Sequence, residues 1–224
     1  MDVIDAIKDR RSIRNYKPDA VPQEILREIL EIASQAPSSM NTQPWEFFVL
    51  TGEVIEKVKK ANIEKLEAGE KPHEEHNVVG WEKDNKVYRD RQITLAKQLF
   101  ASMDIPREDK EKRASWLARG FRFFDAPAAI IIVTDKSLTE IGPSLDLGGV
   151  MQTICLTALK YDLGTCIEDQ GVLYPEVVRE ITGIPESKRI IISIAIGYPN
   201  MDFPANHVIS SREDVESITT WCGF

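Results

Sequence analysis

Three arginines and a hydroxyl stand within five residues at positions 10–14, RRSIR. Arg10, Arg11, Ser12 and Arg14 together offer forked donors and positive charge, which is what a phosphate group needs. A basic run is more often a solvated face, so the segment gains meaning only in company. A second stretch, APSSMNTQPW at 36–45, sets Ser38, Ser39 and Asn41 between Pro37 and Pro44. Hydroxyl and amide side chains in a proline-fixed loop suit the polar edge of a flat heterocycle, although ordinary turns use the same residues. A third, DLGTCIEDQG at 162–171, reads as a helix stop followed by a loop whose backbone amides can meet a ligand. Near the C-terminus Arg212 follows Ser210 and Ser211 at an expected helix start, a further anion site.

These segments need elements to hold them. Val3, Ile4 and Ile7 recur at helical spacing behind Asp2, giving a short first helix that ends near RRSIR. Pro22 opens a second helix with Ile25, Leu26, Ile29, Leu30 and Ile32 along one face, and it must stop before Pro37. EFFVLT at 46–51 reads as a buried strand, with a helix after it carrying Val54, Ile55, Val58 and Ala61. Two more helices are expected around 87–103 and 106–124. AAIIIVT at 128–134 is apolar and β-branched, a central strand. Ser144 is expected to cap a long apolar helix ending near Gly164. A short helix spans 175–182 before Gly183, and RIIISIAIGYP at 189–199 is the third strand. Ser211, three residues before Asp214, reads as the cap of a last helix. Helices outnumber strands without alternating one for one, so a single α+β domain is expected.

Composition narrows the function classes. A hydrophobic content of 42% is enough for a sizeable core, and a formal charge of −8 argues against a nucleic-acid partner. No apolar run approaches the roughly 20 residues of a membrane span, and the N-terminus lacks a signal-peptide apolar region. Cys155, Cys166 and Cys222 are odd in number and unpaired in spacing, so a reducing cytoplasm is the expected location. His73 and His76 in HEEH sit in a charged stretch and are read as surface rather than as metal ligands. Gly148-Gly149 lacks the strand–GxGxxG–helix setting of a dinucleotide fold. Among the aromatics, Trp81 and Tyr88 are assigned to a substrate lid, and Trp116, Phe123 and Phe124 to the core.

Taken together, RRSIR with Tyr16, PSSMNTQPW, LGT near 163, IAIGYP and an arginine before EDV resemble the FMN-dependent nitroreductase family. The ending Trp221-Cys222-Gly223-Phe224 is similar to its nitrobenzoate-reductase-like subgroup. The likeness covers 1–68 and 120–224 well and the middle loosely, so 69–120 is taken as a lid-like insertion in one domain spanning 1–224. The resemblance implies a mixed β-sheet flanked by helices, in an obligate homodimer. It implies FMN as cofactor, with Arg10, Arg11 and Ser12 near its phosphate and Arg14 at the pyrimidine edge. Pro37, Ser38, Ser39 and Asn41 would meet the flavin of the other subunit, Ile167, Glu168 and Asp169 would lie by N5, and Ser210 and Arg212 would complete the phosphate site. The implied activity is ping-pong hydride transfer from NAD(P)H to a nitroaromatic or quinone, with no dedicated acid or base. The alternatives are reductive dehalogenation, ene reduction or flavin destruction, a non-catalytic FMN-binding redox sensor, or an anion-binding module without flavin. Two departures stand out: Ile209 where relatives often carry arginine, and Asp125, near the expected substrate cavity, where glycine is common.

Overall fold

The computed structural model describes residues 2–76, 85–139 and 141–224. Helix α1 (Val3–Asp9) is capped by the Asp2 carboxylate, which accepts from the amides of Ile4 and Asp5. Helix α2 (Gln23–Ala33) turns Leu26, Ile29 and Ala33 inward. Strand β1 (Glu46–Thr51) leads into α3 (Gly52–Glu67), followed by α4 (Lys86–Ser102) and α5 (Lys110–Phe121). Then come β2 (Ala128–Asp135), α6 (Gly142–Leu159), β3 (Gly164–Glu168), α7 (Pro175–Thr182), β4 (Lys188–Gly197) and the short α8 (Val215–Ile218).

The four strands lie in the order β1-β2-β4-β3, and every neighbouring pair is antiparallel. The expected mixed sheet is therefore corrected. Strands β2 and β3, joined through α6, do run the same way, but β4 inserts between them and pairs antiparallel with both. Period-two alternation splits β2 between two cores: Ala128, Ile130 and Ile132 face α2 and α6, while Ala129, Ile131 and Val133 face the side of α3 and α7. Ile191 is an extra residue in β4, since Ile132 pairs with Ile192 and Val133 with Ile190. Helices on both faces explain why the two central strands are apolar almost without interruption.

Several boundaries differ from expectation. Helix α6 starts two residues ahead of Ser144, with Pro143 in its first turn. Asp214, not Ser211, caps α8, its carboxylate accepting from the Glu216 amide at 3.0 Å. Helix α5 begins behind Asp109 and ends at Phe121, because Phe123, Phe124 and Asp125 take left-handed φ values of 52°, 52° and 62°. A fourth strand, β3, occupies the segment read as a loop. The charged stretch before residue 77 is docked on the body: the His73 amide donates to Leu173, and Glu75 pairs with Arg179 at 2.6 Å. Trp81 lies outside the described residues. No described helix is long and apolar enough to cross a membrane.

Candidate functional site

After α1 the chain becomes extended and runs along the outer edge of β3. Ser12 bridges Thr165 in parallel, and the Ile13 amide donates to the Thr165 carbonyl at 2.9 Å. This close approach depends on Gly164, where a Cβ would stand 2.5 Å from Ile13 Cγ1 and 2.9 Å from Pro199 Cγ. Ile13 is buried, and the Tyr16 hydroxyl, also buried, donates to its carbonyl at 2.8 Å. Alternation along extended backbone then sends Ser12 and Arg14 away from the core. Asn206, fully buried, accepts from the Arg14 amide at 2.6 Å and donates to the carbonyls of Asn15 and Asn200. Arg119 donates to the Arg14 carbonyl at 3.0 Å. Neither Asn206 nor Arg119 was singled out from sequence; nothing in PANH or in an amphipathic helix marks a side chain that clamps a distant backbone.

The arginines of this region have backbone or hydroxyl partners rather than acids. Arg11 donates to the Asp9 carbonyl, Arg14 to that of Ser12, and Arg212 to Ser210 and Ser211. Among the described residues, no carboxylate comes within ion-pair distance of Arg10, Arg11, Arg14 or Arg212, whereas Arg91, Arg119, Arg122 and Arg179 are all paired. Among the described residues Arg27, Arg89, Arg107 and Arg113 also have no carboxylate within that distance, so what sets Arg10, Arg11 and Arg14 apart is their succession along the edge of β3.

The segment 164–168 corrects the loop reading. Since the Thr165 carbonyl points to Ile13, the period of two directs the backbone N–H and C=O of Ile167 to the same open edge, beside Arg14. Glu168 points the other way. Its carboxyl is buried, accepts from the Gly171 amide at 2.8 Å and bonds the Ser193 hydroxyl. Burial pushes it up to about 8, against the hydrogen bonds from Ser193 and Gly171, so it is largely neutral at pH 7. Asp169 begins the 3-10 turn that follows, its carbonyl accepting from Val172 at 2.9 Å. Burial likewise drives the Cys166 thiol up to about 12, which leaves it protonated.

The loop of Pro37, Ser38, Ser39 and Asn41 is shaped by three left-handed residues, Met40, Asn41 and Gln43, at φ 53°, 58° and 45°. Such backbone persists only where surroundings over-determine it. Here Ser38 Oγ accepts from the Gln43 amide, and the Asp146 carboxylate of α6 accepts from the Ser39 amide at 3.2 Å. The loop's side-chain hydrogen bonds run to itself and to α6, not to residues 10–14 of the same chain. Ser210 and Arg212 line a groove against Tyr88, Arg91 and Gln98 of α4, tied by an Arg91–Glu213 pair at 2.9 Å. Arg10 and Arg11 line a different groove, with Lys17, Thr165 and Tyr198.

A helix-flanked antiparallel sheet with a basic segment along one edge defines the class: residues 7–198 match the nitroreductase family model, and the chain belongs to that family. Among characterised relatives it is 31% identical to a nitrobenzene nitroreductase of Ectopseudomonas oleovorans, over 97% of this chain and 95% of the other. It is equally 31% identical to a chloronitrobenzene nitroreductase of Comamonas testosteroni, at the same coverage. In structure it is similar to the FMN- and NADPH-dependent nitroreductase NfnB of a Sphingopyxis strain, with a TM-score of 0.93 at 26% identity and full coverage of both chains.

Proposed function

We propose that this protein is an FMN-dependent oxidoreductase that uses NAD(P)H to reduce a small organic acceptor such as a nitroaromatic or quinone. The observation that carries the reading is the basic segment of Arg10, Arg11 and Arg14, clear of carboxylates and seated along the open edge of β3. Guanidiniums held apart from acids suit a phosphate dianion, and the outward Ile167 amide suits the polar edge of a heterocycle, so the residues fit FMN. When bound, FMN supplies a two-electron hydride carrier that nicotinamide and acceptor use in turn, in ping-pong order.

The chain's own residues then bind and tune. Arg10, Arg11 and Ser12, with Ser210 and Arg212, hold the phosphate, which asks the C-terminal segment to close on the first groove. Arg14 lies at the pyrimidine edge, where its fixed charge favours the electron-rich state. Of Ile167, Glu168 and Asp169, Ile167 offers its amide to the ring, while the buried, neutral Glu168 adds little opposing charge. Pro37, Ser38, Ser39 and Asn41 of the partner subunit complete the pocket, and of the 69–120 insertion the described helix α4, with Tyr88, belongs to its lid. No side chain is assigned as acid or base; catalysis rests on positioning.

The homodimer is supported by α6, which is apolar nearly all round and carries one charge, Asp146, yet leaves Leu145 87% exposed. A helix of that kind needs cover on both sides. Three free thiols, two of them buried, fit a cytoplasmic location. The test of the function is direct: the protein purifies yellow with one FMN per chain and oxidises NAD(P)H in the presence of a nitroarene. A colourless protein that FMN cannot reconstitute overturns the reading.

A further inference from the structure

We propose that Arg119 is a positioning residue for Arg14, held by Asp125, and that this brace sets the potential of the bound flavin; the inference rests on the reading of Arg14 as the pyrimidine-edge cation. Ladder contacts along the RRSIR segment lapse after Ile13 and resume at Asn15, whose carbonyl accepts from the Asn200 amide at 3.2 Å, and at Tyr16 and Lys17, which meet Pro199 and Tyr198. Arg14 falls in the gap. Both its backbone groups are taken instead by distant side chains, the amide by Asn206 and the carbonyl by Arg119.

Arg119 is itself fixed from three sides. Its side chain is 17% exposed, its guanidinium lies 4.8 Å from the centroid of the Phe203 ring, and that ring stacks on Trp116. A further nitrogen pairs with Asp125 at 3.1 Å, and Asp125 also accepts from Arg122 at 2.7 Å. Asp125 reaches this position as the last of three consecutive left-handed residues. Aspartate tolerates that conformation better than most residues but phenylalanine does not, so the run is strained. What the strain secures is a carboxylate between two guanidiniums. Asp125 therefore faces arginines, and the cluster as a whole remains cationic.

The consequence is electrostatic through geometry. A guanidinium tunes a developing negative charge only where its distance is held, and in Arg14 that distance depends on where its backbone stands. Releasing Arg119 frees the Arg14 carbonyl, lets the backbone of Arg14 shift and weakens its influence without removing its charge.

Midpoint potentials of the FMN-loaded protein distinguish this from a merely structural contact. Four variants are compared with the native chain: Arg14→Ala, Arg119→Ala, Asp125→Gly, and Arg14→Ala combined with Asp125→Gly. Asp125→Gly keeps every arginine, and glycine accepts a φ of 62° without strain. Deleting a nearby carboxylate would by itself raise the potential, whereas losing the brace lowers it. The expected result is a fall in Arg119→Ala and Asp125→Gly of at least half that in Arg14→Ala, with no further fall in the double variant. A smaller fall, no change or a rise in Asp125→Gly, or additive shifts in the double variant, overturns the brace and leaves the assignment of Arg14 standing. An unmoved potential in Arg14→Ala overturns that assignment, and the brace with it.

Discussion

Arg14 and Arg212 are both free of carboxylates, yet their settings differ: one is pinned at both backbone groups, the other folds onto its own exposed segment. Arg212→Ala removes the proposed charge-assisted contact to phosphate and is expected to weaken FMN binding by about 1.5–3 kcal/mol, with the potential unchanged. Arg14→Ala is expected to weaken binding and also lower the potential, so titration and potentiometry on the two variants separate a holding residue from a tuning one. Glu168 gives a second prediction at this scale. Its folded carboxyl titrates near 8, above the ordinary glutamate value, so between about pH 4.5 and 8 the folded chain holds a proton that the unfolded chain has released. Stability from this group is full below that window and is lost as pH rises through it. Glu168→Gln keeps the shape and hydrogen-bonding capacity, and denaturant melts across pH are expected to lose that part of the slope. An undiminished slope would mean that other groups carry it.

At the scale of elements, the seat of the basic segment is β3 and its glycine. Gly164→Ala places a methyl group within 3 Å of Ile13 and Pro199. Neither neighbour has a flexible end to move aside, so overpacking of about 1–3 kcal/mol follows. Because Ser12 and Arg14 depend on the same seating, FMN affinity is expected to fall together with the thermal midpoint. A variant that melts early but binds FMN normally would uncouple the segment from the strand. The 36–45 loop shows the same logic, with strained backbone held by Asp146 from a neighbouring helix.

At the scale of the whole molecule, the proposed homodimer rests on α6. Leu145→Arg puts a charge on its exposed apolar face while leaving the inward residues Leu147, Val150 and Ile154 alone. An obligate interface of roughly 2,000 Å² or more tolerates such a charge poorly. Sedimentation is expected to find monomers, and FMN retention should fall with dimer content, because the proposed pocket takes the partner's loop. A folded monomer that keeps its flavin would refute the shared site.

What the chain's residues determined alone was considerable. Hydrophobic period located α2, α6, α7 and three strands, since burial imposes its spacing directly on side-chain type. The motifs RRSIR and PSSMNTQPW stood out because each concentrates hydrogen-bond donors at an unusual local density. Strand β3 was missed: GTCIE is five residues with a leading glycine, and nothing local separates a short edge strand from a loop. The antiparallel order escaped too, since AAIIIVT records burial on two faces but not the direction of its neighbours. Tertiary structure alone decided that Glu168 turns inward while Ile167 offers its amide, a choice set by the register against β4. It alone brought Asn206 and Arg119, 192 and 105 residues from Arg14, onto that residue's backbone. Side-chain clamps on a distant main chain depend on where the fold places two segments, and no composition or period encodes that meeting.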